Sequence, residues 1–342
     1  MKRKKLISIV LIACMPMTLA IGCSSNSNEE NTGEETSSEE SSDGKYRIGF
    51  ANASISNSWR VKMRDMLMEE ADKLGVEIIE TDANDDANTQ NSNIEAMLQQ
   101  DLDAILITPC VEDAVNPGIE AAYESGIPVI LFDRTCTTED YTHFIGYSDE
   151  KNGAACAQML VDALIEKNGE AKGNIIALDT IAGSSTDNNQ KAGQDSVFSQ
   201  YPDIKIIERQ YTDFEASKAK SFMEDCLSKY GEGEIDGIIS QDGAVTLAAV
   251  DALEEAGRMD EGILIVNADG INGIAKMVKE GTCVGFTQFP CAASVDALNL
   301  AIQCIEGTDP EEKDIIQDSI IVTPDNVDEY LIPDGDDYDW TY

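Results

Sequence analysis

Gly126-Ile127-Pro128-Val129-Ile130-Leu131-Phe132-Asp133-Arg134 reads as a turn, a strand and a charged strand tip in immediate succession. Glycine and proline punctuate the start, and four consecutive apolar residues leave no face for water. Such a run suits a parallel strand covered on both sides, and Ala104-Ile105-Leu106-Ile107, running into Thr108-Pro109, is a second example. Working outward, strand-like runs at Tyr46–Ala51, Glu77–Thr81, Ala104–Thr108 and Pro128–Phe132 alternate with amphipathic stretches at Ser58–Leu74, Thr89–Gln100 and Ala114–Ser125. Gly75 closes the first of these stretches and Gly126 the last. The rhythm resumes with strands at Asn174–Leu178, Ile204–Gln210, Gly237–Ser240, Ile263–Asn267 and Val284–Gln288. Helices are expected between them at Asp187–Gln200, Glu215–Lys229, Ala244–Ala256 and Ile271–Glu280. The pattern predicts an α/β protein of two doubly wound parallel-sheet domains.

Parallel open sheets bind ligands beyond the carboxyl ends of their strands. Those positions are polar here: Asn57-Ser58-Trp59-Arg60 beyond the first strand, Asp133-Arg134 after the fourth, then Asn188 with Gln190, Phe214, Gln241-Asp242, Asp269-Gly270 and Gln288. Carboxylates, amides and guanidiniums each bridge neighbouring hydroxyls, and an aromatic ring adds a flat apolar face. A small polyhydroxylated ligand fits that mixture.

The amino terminus points outside the cytoplasm. Met1-Lys2-Arg3-Lys4-Lys5 is a basic region, Leu6 to Ile21 an apolar one, and Ala20-Ile21-Gly22-Cys23 sets small residues before a cysteine, the layout of a bacterial lipoprotein signal. Cys23 is preferred for lipidation over Cys14, which would leave Met15 to Ile21 as an apolar mature terminus. From Ser24 to Gly44 there is no aliphatic residue, so this stretch is expected to be a solvated tether with a reach of about 25 Å. The formal charge of −41 includes four positive charges of the signal, and so acidic a chain is a poor partner for nucleic acid.

Asn57-Ser58-Trp59-Arg60, Ile107-Thr108-Pro109, Gly126-Ile127-Pro128-Val129 leading to Asp133-Arg134, Ile181-Ala182-Gly183-Ser184-Ser185, Asp213-Phe214, Gln241-Asp242, Ala268-Asp269-Gly270 and Gln288-Phe289-Pro290 resemble, in order and spacing, the periplasmic sugar-binding proteins. The likeness is to the ribose-binding branch, and within it to the galactofuranose-binding type. It implies the type I periplasmic binding protein fold: two lobes joined by a hinge of several crossings, closing on a sugar that is handed to a membrane ABC permease. By that resemblance Asp133 and Arg134 grip adjacent hydroxyls with Asn57, Trp59 and Arg60 beside them. Asp269, Gln288, Gln241 and Phe214 answer from the second lobe. Asn188, Gln190 and Asp242 complete the candidate sugar-binding set. Trp59-Arg60 stands where ribose binders carry paired phenylalanines, Asn188-Asn189-Gln190 where they have Arg-x-Arg, Gln241 where they have asparagine before aspartate, and Thr108 where they have asparagine.

The implied boundaries are 1–22 for the signal peptide, 23–44 for the tether, 45–147 with 290–322 for the first lobe, and 150–287 with 323–342 for the second. Crossings are expected near Tyr147–Glu150, Gln288–Phe289 and Val322–Asp325. Ala292–Glu306 should return to the first lobe as a helix and Ser319–Val322 as a strand.

Other chemistries find little support. Asp82-Ala83-Asn84-Asp85-Asp86 lacks the glycine and the glutamate of a calcium loop, with Ala87 and Asn93 in those places. His143 is the only histidine, no C-x-x-C pair exists, and no familiar zinc spacing can be assembled, so neither metal nor cofactor is expected. Seven cysteines remain after Cys14 and Cys23. They read mainly as buried thiols, with Cys110 and Cys136 the pair to test for a bridge. The acidic end from Asp334 to Asp339 reads as a charged tail. No nucleophile with a base beside it stands out, so an enzyme is disfavoured. The expected protein is a monomeric, lipid-anchored, extracytoplasmic solute-binding subunit of an ABC sugar importer, with a furanose such as galactofuranose, fructose or arabinose as first choice. The alternative is a sugar sensor docking on a membrane kinase or chemoreceptor.

Overall fold

The computed structural model describes residues 46–340, and the expectations for the signal, Cys23 and the tether lie outside the described residues. The first lobe is built on β1 (Arg47–Asn52), β2 (Glu77–Asp82), β3 (Ala104–Ile107), β4 (Val129–Phe132) and β5 (His143–Tyr147), with α1 (Ser58–Leu74), α2 (Ala87–Met97) and α3 (Asn116–Glu124) between them. The chain then crosses to α4 (Asp149–Asn168), β6 (Gly173–Asp179), α5 (Ser185–Phe198), β7 (Ile204–Tyr211), α6 (Ala216–Lys229), β8 (Gly237–Ser240), α7 (Gly243–Glu255), β9 (Leu264–Ala268), α8 (Asn272–Glu280) and β10 (Gly285–Gln288). It returns for α9 (Ala293–Glu306) and β11 (Asp314–Gln317), and crosses a last time to β12 (Ile320–Val322).

The two six-stranded sheets run β11-β5-β4-β3-β1-β2 and β12-β10-β9-β8-β6-β7. Every pairing is parallel except that of β12 with β10. The double-sided burial expected from the apolar runs is present: Ile130 and Phe132 pack with Met63, Leu67 and Leu298, whereas Val129 and Leu131 face Ile94, Met97 and Ile119. That alternation follows from the period of two along a strand. Helix ends carry their caps, with the side chains of Asn57, Asp86, Ser148 and Ser184 each accepting a backbone N–H of the first turn. Asp86, which lies in the discarded calcium pattern, is therefore the cap of α2.

Two crossings fall where expected, between Tyr147 and Asp149 and between Gln288 and Ala293, and α9 returns to pack on α1, β3, β4 and β5. The third does not. The chain leaves the first lobe after Gln317, and β12 pairs antiparallel with β10 through Ile320, Ile321 and Val322, so the Ser319–Val322 strand belongs to the second lobe. A short edge strand carries no sign in its own residues of which sheet accepts it. Helix α4 and strands β5 and β11 are not among the elements that the sequence pattern predicts.

The seven cysteines among the described residues are separate thiols. Cys110 and Cys136 are not joined: the backbone N–H of Cys110 donates to Gln90 Oε1 (2.9 Å), and Cys136 Sγ donates to the Thr138 carbonyl (3.4 Å). No helix of the described residues is long and apolar enough to cross a membrane.

Helices α4 and α5 touch through glycine. A Cβ at Gly193 would lie 2.0 Å from the Glu150 carbonyl oxygen, and one at Gly153 2.1 Å from that of Gln190. Both obstacles are backbone and cannot swing away. Gly193→Ala is therefore expected to destabilise the fold by about 2–3 kcal/mol, read as a lowered urea midpoint.

Candidate functional site

Nine of the twelve residues singled out in the sequence line one cavity between the lobes: Asn57, Trp59, Arg60, Asp133, Arg134, Gln190, Phe214, Gln241 and Asp269. Three more, Asp149, Thr186 and Phe289, complete the wall. Asp149 and Phe289 belong to the crossings, whose polar and aromatic residues were legible as hinge but not nominated for the site.

The first lobe contributes a buried charge cluster. Arg60 donates to Asp133 Oδ2 (2.6 Å) and to Thr108 Oγ1 (3.2 Å), so the threonine at the tip of β3 anchors this guanidinium. Arg134 donates to the Cys110 carbonyl (3.2 Å) and lies 3.9 Å from both Asp85 and Asp133. Both arginines are almost wholly buried. Burial, with Arg60 alongside, brings the Arg134 guanidinium down to about 10, which leaves it a cation at neutral pH. From the opposite lobe Phe214 sets its ring 5.9 Å from that guanidinium.

The second lobe supplies hydrogen-bonding atoms that lack protein partners. Gln241 Oε1 accepts from the N–H and the hydroxyl of Thr180 (3.0 and 3.1 Å), which leaves its buried Nε2 without one, and Asp269 Oδ1 is likewise buried and unbonded. Backbone strain accompanies these positions. Asp133, Phe214 and Asp269 have φ of 65°, 60° and 131°, a region that costs a phenylalanine more than an aspartate.

The acids outnumber the bases. Burial, reinforced by Asp133, pushes the Asp149 carboxyl up to about 8. Burial also raises Asp269 well above the ordinary carboxyl range, with Asp242, Asp133 and Asp149 adding to the effect. Asp149 therefore keeps its proton near neutral pH and presents a donor as well as an acceptor.

Asn188, Asp242 and Gln288 stand outside the cavity wall. Asn188 sits at the rim and donates across the lobes to Glu112 Oε2 (2.9 Å). Asp242 caps α7 by accepting from the Val245 N–H (2.8 Å). Gln288 is buried at the end of β10, close against Gly270, where a Cβ would come within 2.6 Å of its Oε1. A position after a strand was enough to nominate all three; which way each side chain turns is a matter of packing.

The acidic end is not a free tail. Asn272 Nδ2 donates to the carbonyls of Ile332, Gly335 and Asp336 (3.0–3.2 Å), and Lys276 binds Gly335 and Asp337 (2.9 and 2.8 Å). This strap delivers Trp340 across the lobe boundary. Its indole packs edge-on against Trp59 (6.5 Å between centroids) and donates to Ser58 Oγ (3.1 Å). Trp59 in turn donates to the Phe289 carbonyl in the second crossing (2.8 Å). Further rim contacts run from the Glu112 N–H to the Gly183 carbonyl (3.2 Å) and from the Thr135 N–H to Ser185 Oγ (2.9 Å).

Because the native protein keeps a proton on Asp149 that an unfolded chain would have lost above about pH 4, with Asp269 raised in the same direction, stability should fall as the pH rises from 4 towards 8. The slope should reach about 1.4 kcal/mol per pH unit for each such proton. Urea unfolding across that range should show the decline, and Asp149→Asn should flatten it.

The Periplasmic binding protein domain model matches residues 48–309. The xylitol-binding protein of Mycolicibacterium smegmatis is 32% identical over 254 residues, 74% of this chain and 70% of that protein. The galactofuranose-binding protein of Escherichia coli is 26% identical over 289 residues, 83% and 90% of the two chains. Among solved structures, the fructose-binding periplasmic domain of a hybrid two-component system superposes with a TM-score of 0.74 at 27% identity, covering 83% of this chain and 92% of that one. The motif resemblance, the paired parallel sheets and these matches agree: the chain belongs to the periplasmic binding protein family, and the relatives it matches are sugar- and polyol-binding members.

Proposed function

We propose that the protein is the solute-binding subunit of an ABC importer and captures a neutral monosaccharide, a furanose in the first instance, in the cleft between its lobes. It acts as a monomer, held at the extracytoplasmic face by lipid on Cys23. The observation that carries the ligand class is the pair of buried polar atoms that face the cavity from the second lobe without protein partners, Asp269 Oδ1 and Gln241 Nε2, opposite the Arg60–Asp133–Arg134 cluster of the first lobe. Buried polar groups normally find a partner, and a hydroxyl supplies donor and acceptor together. Phe214 and Trp59 add apolar faces of the kind a sugar ring covers. A ligand touching both lobes gains its full set of contacts only when they are together, so its binding energy favours the closed form that a permease can recognise. A sensing role has one specific support, the fructose-binding domain of a two-component system among similar structures. Neighbouring permease and ATPase genes would favour import, and a neighbouring histidine kinase would favour sensing.

A thermal-shift and tryptophan-fluorescence screen of pentoses, hexoses, furanose sugars and xylitol should give at least one saturable response. Asp269→Asn and Arg134→Ala should each weaken it about 100-fold or more, since each change leaves buried polar partners unanswered. Silence from every sugar and polyol would remove the proposal. Trp340→Ala, which deletes an edge-on aromatic pair and a hydrogen bond made across the lobes, should weaken the same ligand about tenfold, mainly through faster dissociation in stopped-flow measurements.

A further inference from the structure

We propose that the first lobe carries a divalent-metal site of the zinc type, built from His143 Nε2, Cys304 Sγ and an Asp309 carboxylate oxygen. His143 opens β5, Cys304 lies near the end of α9, and Asp309 sits in the connection from α9 to β11. Their ligand atoms all fall within 4.8 Å of one another. Ligands about 2.0–2.3 Å from a tetrahedral zinc are roughly 3.5 Å apart, so only small side-chain adjustments separate this cluster from a coordinating one.

The histidine is oriented for the task. Its Nδ1 faces the Glu312 carbonyl (3.0 Å), which only accepts, so Nδ1 bears the hydrogen. This is the outer hydrogen bond that commonly fixes the tautomer of a metal-bound imidazole. Nε2 then points at Asp309 Oδ2 (3.1 Å), and in neutral imidazole that contact sets a lone pair against a carboxylate. A metal ion at Nε2 would meet the Asp309 carboxylate and the neighbouring Cys304 sulfur together. Coordination converts the Cys304 S–H to a thiolate and releases its proton to solvent, and one thiolate with one carboxylate then balances the two charges of the ion. Nitrogen, sulfur and oxygen donors together favour a borderline ion such as zinc over calcium or magnesium. A groove lined by Tyr123, Gly126, Pro128 and Thr142 opens onto Cys304 and Asp309, giving the ion a path and a water the fourth position. None of the three residues lines the sugar cleft, so the site would tie the returning α9–β11 segment to β5 rather than touch ligand.

The test is titration of chelator-treated, reduced protein with Co²⁺, followed through its thiolate charge-transfer absorption, with Zn²⁺ as competitor. One equivalent should bind, Zn²⁺ should displace it and raise the melting temperature, and Cys304→Ser and His143→Gln should each lower affinity about 100-fold or more. Cys136→Ser, at another half-buried thiol, should change nothing. Absence of a one-to-one thiolate band, or a band that survives Cys304→Ser, overturns the site. A native circular-dichroism spectrum and melting transition in metal-free Cys304→Ser establish that any loss of binding is not a loss of fold, independently of the sugar proposal. Should His143→Gln fail to fold, Cys304→Ser alone decides.

Discussion

The Asp133 carboxylate, held between the Arg60 and Arg134 guanidiniums, is the contact around which the first lobe's face of the cleft is organised. Neither arginine reaches solvent, so each must be neutralised and hydrogen-bonded where it stands. That requirement places the start of α1 over the tips of β3 and β4. Arg60 comes from the helix, while Thr108 and Cys110 follow β3 and supply its anchor and that of Arg134. Breaking such a pair from one side strands a charge at a cost of about 3–5 kcal/mol, which couples the shape of the site to its electrostatics.

The same economy of charge explains the opposing lobe. With two guanidiniums facing Asp133, Asp149 and Asp269, burial and the crowding of carboxyls raise Asp149 to about 8 and Asp269 well above the ordinary carboxyl range. Protonated carboxyls, amides and guanidiniums together present donors and acceptors in mixed array, which suits hydroxyls better than it suits an anion. The lobes are also joined outside the cavity. Asn272 and Lys276 fasten the 332–337 strap to the second lobe, and that strap carries Trp340 to Trp59. Contacts of this kind exist only when the lobes are together, so under the closing motion proposed above the strap would favour the same form as a ligand.

Much of this was legible in the chain. Val129-Ile130-Leu131-Phe132 suits a strand covered on both faces, and the residues at strand tips, from Asp133 to Asp269, stand where a parallel sheet presents them to a ligand. A periodicity of two and a tip position are local properties, carried by neighbouring residues. The orientation of a tip side chain is not local. Asn188 turns to the rim and Gln288 packs inward because the acceptor of the one and the space of the other belong to distant segments, whereas Asp242 turns back to cap its own helix, a local contact that competes with the cleft.

Long-range pairing set the remainder. The edge strand β12 took its place beside β10 by hydrogen bonds that Ile320-Ile321-Val322 could have offered to either sheet. Asp334 to Asp339 looked like a solvated tail because its charges are conspicuous in sequence, whereas the backbone carbonyls that bind Asn272 and Lys276 are not. A lone histidine admits no metal spacing, yet His143 meets Asp309 across 166 positions. Residue order alone determined most of the strands and helices and where polar tips fall, since those depend on contacts within a few residues; α4, β5 and β11 are the exceptions. Only the folded chain decided which tips share a cavity, where the third crossing lies and what the terminal tryptophan touches, since those depend on surfaces that meet only after both sheets have formed.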